Sequence, residues 1–282
     1  MTSPLVRLRT AEAQLIARRA APPEPAAAVA EGLAAACGEV PAGFAAAGQA
    51  IAAAVAAHGA SFPPGGEPAY HDRHHQAEAM LCAGWLAREA RRAALLDTRQ
   101  AGLCVLAMAG HDLLHEGLAA PQGALEQRSA AAADRLAATL APPDRAELTR
   151  LILETIPEAP PAGDLAAALV READLFGSLT PCLGWRLSRA LAREMAQAGI
   201  PGAARIATHA GRLAFLAAAP GMSPPAVALG LDAARQAQLA AFRSLAATAE
   251  AGAALLDALP EEAGRQRWRA ALRGQGLPEL PG

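Results

Sequence analysis

Alanine fills 80 of the 282 positions, and this limits the folds open to the chain more than any other feature. Alanine is the strongest helix former because it loses no side-chain entropy in a helix. The β-branched and aromatic residues that strands favour are sparse, with aromatics at 3%. The composition therefore predicts an all-α protein. Hydrophobic residues make up 53% of the chain, but without alanine the bulky apolar ones come to about a quarter. A chain of this length still buries a core without disulfides or metal staples.

Twenty-five basic residues face 27 acidic ones, a net charge of -2, so the basic excess of a nucleic-acid binder is missing. Every cation is arginine, and with no lysine a phosphate-binding G-x-x-x-x-G-K-[ST] loop cannot occur. No G-x-S-x-G nucleophile elbow is present either. Cys37, Cys82, Cys104 and Cys182 form no C-x-x-C pair, and simple buried thiols in a reducing cytoplasm are expected. The first twenty residues carry scattered arginines and lack the continuous apolar run of a secretory signal. No membrane span is expected, because the candidate at Ala45–Ala57 is short and nearly all alanine.

Proline and glycine divide the chain. A short leading helix ends before the prolines at 21–25. A second helical pattern covers Ala42–His58, and the SFPPGGEP segment at 61–68 breaks it. A long helix is expected from near Tyr70 to Leu95, then another from Arg99 to Asp112. Further helices are expected at about 125–140, 143–156, 163–176, 181–199, 202–218 and 226–258. The arginine-rich 265–273 segment reads as a solvated helix end.

Five of the seven histidines fall in two short segments, Tyr70-His71-Asp72-Arg73-His74-His75 and His111-Asp112-Leu113-Leu114-His115-Glu116-Gly117. On helices, His71 and His75 would share one face, and so would His111 and His115. Two facing helices carrying such pairs can converge on one metal site inside a bundle. Burying several imidazoles and a carboxylate unpaired costs several kcal/mol, and a metal would satisfy them together. The isolated His58 and His209 read as surface or satisfied core residues, and His74 as an exposed neighbour.

These two segments resemble the HD-domain superfamily of metal-dependent phosphohydrolases, closest to its cyclic-nucleotide phosphodiesterase-like branch. The resemblance rests on Y-H-D-R-H at 70–74 with His75, on G-H-D-L-L-H-E-G at 110–117, and on a later helical aspartate, Asp174, in R-E-A-D-L. It implies an all-α HD-domain helical bundle. It also implies that His75, His111, Asp112 and Asp174 ligate a first metal, with Asp112 bridging to a second. His71 would be the general acid, and His115, in the catalytic group with it, would sit either behind the ligands or close to the second metal. The chain departs from the branch at Asp72, where the family has asparagine, and in lacking its base-holding glutamine motif. On this reading 1–40 is an N-terminal helical extension, 41–220 the HD-type metal-binding domain, and 221–282 C-terminal helices packing on the same domain.

The expected function is hydrolysis of a phosphate mono- or diester by metal-activated hydroxide, on a small phosphorylated substrate and in the cytoplasm. One or two divalent ions (Mn, Mg, Zn or Fe) suit the imidazole and carboxylate donors. The alternatives are an HD-type diiron oxygenase, with His115 as an extra ligand, and a non-catalytic HD sensory or scaffold domain. Thr155 fits either a buried structural role or a contact with the site. Arg205 and Arg212 read as solvent-facing, with a phosphate contact as the alternative.

Overall fold

A computed structural model describes residues 3–156 and 163–277, and the described residues form helices and no strand. In chain order these are α1 (Pro4–Arg19), α2 (Pro25–Cys37), α3 (Ala42–Ala60), α4 (Arg73–Arg92), α5 (Thr98–Gly110), α6 (Ala124–Leu136), α7 (Pro142–Leu153), α8 (Leu165–Leu179) and α9 (Leu183–Gln197). After a 3-10 turn (Ala203–Ala207) come α10 (His209–Ala218), α11 (Pro224–Leu229), α12 (Leu231–Arg243), α13 (Ala249–Asp257) and α14 (Glu261–Gly274). The all-α expectation holds.

The chain forms two compact units. One contains Ala17–Phe176 with Ser223–Ala226; the other contains the residues up to Ile16, Gly177–Met222, and those from Val227 onward. These limits differ from the sequence-based division at 40/41 and 220/221. Helix α2, expected in a separate extension, packs on α3, α4 and α5 inside the first unit. Helices α9 and α10, expected with the histidine segments, group with the C-terminal helices.

Helix α5 is the axis of the first unit. Every residue from Ala101 to Gly110 is buried, as expected of a helix that is apolar all round. Asp97 starts it with a capping box, accepting from Gln100 N at 2.7 Å while Gln100 Oε1 accepts from Asp97 N at 3.1 Å. Helices α2, α3, α4, α6 and α7 surround it. Helix α3 is long and apolar enough to cross a membrane by length and composition, yet Phe44, Ala47, Ile51, Ala52 and Val55 face the core.

Helices α2 and α4 cross backbone to backbone. A Cβ on Gly84 would lie 2.6 Å from Gly32 O, and one on Gly32 would lie 2.6 Å from Met80 O. Neither obstacle is a flexible side chain, so a methyl group there forces the helices apart.

In the second unit the expected 226–258 helix is three helices. Gly230, at φ +91, separates α11 from α12, and Thr248 caps α13 by accepting from Ala251 N at 3.1 Å. Glu12 accepts from Cys182 N and Leu183 N at 2.7 and 2.8 Å, supplying the start of α9 with a remote carboxylate. The 265–273 segment is no solvated end: it lies in α14, where Trp268 is buried and stacks on Phe242 at 4.3 Å. Arg212 is fully buried, donating to Ser178 O, to Thr180 O at 2.8 Å and to Gln238 Oε1 at 2.7 Å. Burial pulls its pKa down to about 10. It is a staple of this unit and not a phosphate arm, whereas Arg205 is exposed.

The glycine crossing gives a direct test. Gly84→Ala gains about 1 kcal/mol of helix propensity. The clash with α2 backbone costs about 1–3 kcal/mol, so the variant is expected to lose stability on balance. Chemical denaturation against the wild type measures this; a variant more stable than wild type would mean the helices can separate freely.

Candidate metal centre

The two histidine segments sit at helix ends. Asp72, in extended conformation, is the N-cap of α4 and accepts from His75 N at 2.8 Å. Helix α4 therefore starts at Arg73, and Tyr70 and His71 lie ahead of it. Helix α5 stops at Gly110, with His111 as its C-cap and a tight turn through Leu114. The expected sharing of one helix face by His71 and His75, and by His111 and His115, is thus corrected. In each pair a single histidine sits on or against a helix, and the other approaches from the adjoining segment. Asp72 owes its place to capping.

The four expected ligands nevertheless converge. His75 Nε2 lies 3.1 Å from Asp174 Oδ1, 3.4 Å from Asp112 Oδ2 and 3.4 Å from His111 Nε2. His111 Nε2 lies 3.1 Å from Asp112 Oδ2 and 3.5 Å from Asp174 Oδ1. Helix α4 brings His75, the end of α5 brings His111 and Asp112, and α8 brings Asp174. All four belong to the first unit.

Burial opposes every charge here, and the opposite charges outweigh it. Desolvation disfavours a charged His75, but Asp112 and Asp174 hold its pKa up at about 9. Burial likewise works against a charged His111, and Asp112 and then Asp174 push it well above its usual range. Asp112 is held well below the carboxylate range despite burial, by His111, His71 and His75. Asp174 is also lowered, against burial, by His111 and His75.

The donor set fits a divalent ion. His111 Nδ1 lies 2.8 Å from Met108 O, a carbonyl that only accepts, so Nδ1 carries a proton, and once Nε2 gives up its own the ring would offer the Nε2 lone pair to the centre. His75, His111 and Asp112 each place one ligating atom within 4.8 Å of the others. Buried groups of this kind could hold a metal ion, and imidazole with carboxylate accepts several divalent ions.

His71 and His115 form a second pair beside Asp112. Their rings stack with centroids 3.8 Å apart, and each offers a ligating atom within 4.8 Å of one from Asp112. His115 Nδ1 accepts from Gly117 N at 3.1 Å, at a glycine with φ +66. With Nδ1 accepting, the proton of the neutral His115 ring sits on Nε2.

Sequence reasoning missed what holds the 111–117 turn. Gln76 Nε2 donates to Asp112 O at 3.2 Å, Leu114 N donates to Ser129 Oγ at 3.1 Å, and His58 Nε2 lies 3.2 Å from His115 O. The buried Tyr70 ring packs against His71 and His75, each at 4.7 Å. Behind His75, Arg19 grips Glu78 with Nε–Oε1 at 2.5 Å and Nη2–Oε2 at 2.8 Å.

Other expectations resolve. His74 is half-buried, beside Glu78 and Arg18 in a surface depression. Thr155 donates to Ile152 O at 2.8 Å, so its hydroxyl serves the end of α7. His209 is only half satisfied: Nδ1 donates to Asp257 Oδ1 at 2.9 Å, and the buried Nε2 has no partner among the described residues. Cys37, Cys82 and Cys104 are buried free thiols, and Cys182 is half-buried. In comparisons with family models and with curated proteins, the chain matches none.

The titrations predict opposite pH trends for stability and metal uptake. His75 rises from 6.5 to about 9 on folding, so its stabilising contribution is complete below pH 6.5 and is lost as pH rises through 9. Asp112 and Asp174 fall from 3.8 on folding, so theirs is present above that value and is lost in acid. The metal-free protein is expected to be most stable between about pH 4 and 6.5 and to weaken toward pH 9. Metal affinity should climb over that same upper range, because an ion must displace the ring protons. Thermal unfolding of chelator-treated protein and metal titrations at pH 6 and 9 check both; a metal-free melting temperature that does not fall by pH 9 contradicts the charge assignment.

Proposed function

We propose that the chain is an HD-type metal-dependent phosphohydrolase that cleaves a phosphate mono- or diester of a small phosphorylated substrate. The observation that carries this reading is that Asp112 and Asp174 each approach both His75 and His111 at 3.1–3.5 Å, with the His71–His115 stack beside Asp112. His75, His111, Asp112 and Asp174 would hold a first divalent ion, and Asp112 would face a second. Such an ion, when bound, supplies water acidic enough to attack near neutral pH and neutralises charge on phosphoryl oxygens.

The remaining chemistry belongs to the chain. As a water gives up a proton to solvent and attacks phosphorus, and the bond to the leaving oxygen breaks, the His71 ring would pass a proton to that oxygen and regain one from solvent. Stacking on His115 and packing against Tyr70 orient the His71 ring. His115 presents Nε2–H, which suits a hydrogen-bond donor to substrate or water and does not suit an Nε2 ligand.

A second reading, an HD-type diiron oxygenase, draws on the grouping of His71, Asp112 and His115. There both histidines would ligate, and His115 would first have to give up its bond from Gly117. That cost favours hydrolysis.

Elemental analysis of purified protein, with Asp112→Ala beside it, is the primary test. One or two equivalents of metal, lost in the variant, are expected; a wild type that stays empty after Mn²⁺ or Zn²⁺ is added back overturns the proposal. His71→Ala is expected to keep its full metal content and lose about 10²–10⁴-fold in phosphoesterase kcat, the usual worth of a general acid. Loss of metal from His71→Ala, or iron with an O₂-dependent activity, would instead favour the oxygenase reading.

A further inference from the structure

We propose that Gln76 is a positioning residue of the metal centre: its side-chain amide ties the helix carrying His75 to the turn carrying Asp112, and so sets how tightly the site holds a divalent ion. The inference rests on the metal reading above. Gln76 directly follows His75 in the first turn of α4 and is 3% exposed. Its Nε2 donates to Asp112 O at 3.2 Å, across 36 positions of sequence.

The orientation of this amide is fixed by its partner. A peptide carbonyl only accepts, so Nε2 must face Asp112 and Oε1 must turn away. Oε1 is buried and accepts no hydrogen bond from the described residues. Buried side-chain oxygens are nearly always paired, yet the amide keeps its donor on Asp112 O while its oxygen has no partner among the described residues. Its neighbours on α4, Ala79, Met80 and Leu81, fill space with apolar groups, and an apolar side chain at 76 would have done that without the orphaned oxygen.

The other holds on the turn act further along it. Ser129 takes Leu114 N and His58 meets His115 O, whereas Gln76 acts on the Asp112 peptide itself. Asp112 is also the residue whose carboxylate lies between His75 and His111, at 3.4 and 3.1 Å. The separation of ligands from α4 and from the α5 turn is therefore gauged by this hydrogen bond. Partners that orient metal ligands from behind typically change affinity 10–100-fold when removed.

The test is Gln76→Met, which keeps volume and helix propensity and removes both polar atoms. The full chain is stripped with chelator and titrated calorimetrically with Mn²⁺ and with Zn²⁺, and the metal-free melting temperature is recorded. A Kd raised about 10–100-fold is expected. The metal-free melting temperature should change little, because methionine removes the buried amide oxygen while Asp112 O keeps its bond from His115 N at 3.0 Å. A Kd within about twofold of wild type overturns the proposal, and so does a lowered metal-free melting temperature with Kd unchanged. Should the variant not fold, the side-chain amide resonances of Gln76 in the wild type are followed as Zn²⁺ is added. Shifts in step with binding support the role, and resonances that stay put overturn it. A wild type that binds neither ion overturns the metal reading and this one with it; binding by wild type with an unchanged variant Kd overturns this one alone.

Discussion

The close contact of α2 and α4 at Gly32 and Gly84 is the constraint from which the first unit follows. An alanine side chain removes little apolar area from water, and each buried CH₂ group stabilises by only about 0.8 kcal/mol. A chain with so much alanine must bring helix backbones near one another to exclude water. Glycine at both crossing positions allows it: a Cβ on Gly84 would meet Gly32 O at 2.6 Å. With α2 pressed onto α4, the buried Ala101–Gly110 stretch of α5 is enclosed, and the start of α4 lies beside the end of α5. The candidate centre is built at that junction.

Such packing alone would not tolerate two imidazoles and two carboxylates. They are accepted because the charges match and the nitrogens and oxygens lie 3.1–3.5 Å apart. Without metal, protons on His75 and His111 supply the positive charge that Asp112 and Asp174 require. A divalent ion would take over that role, so protons and metal compete for one electrostatic niche. Arg19 and Glu78 make the same match behind His75, where burial pushes the Glu78 carboxyl up although Arg19 opposes it.

The helical class is legible in the alanine content and the two histidine segments in their local clustering, whereas the set of four, Asp174 above all, follows only from the resemblance to the HD-domain superfamily. The convergence has a different geometric cause from the one the spacing predicts. A spacing of four implies one helix face, whereas Asp72 caps α4 and leaves His71 outside. An aspartate three residues before His75 is itself a capping signal, so this boundary could have been read. Gln76 and Arg212 could not. Each is defined by carbonyls distant in sequence, Asp112 O for one and Ser178 O and Thr180 O for the other. The division within α8 is equally a product of tertiary packing, since no proline or glycine run marks it in the sequence.

The stacked pair beside Asp112 is where the two chemical readings part. Two positive imidazoles with centroids 3.8 Å apart would repel by about 4 kcal/mol at the effective dielectric of a protein surface. The Gly117 amide removes that conflict by occupying the Nδ1 lone pair of His115, which cannot take a second proton while the bond stands. Gly117 can aim its N–H this way because it sits at φ +66, a conformation costly for any residue with a Cβ. The turn that follows the aspartate thus fixes the His115 ring as an Nε2–H donor beside Asp112, an arrangement that ligation by both rings would have to undo.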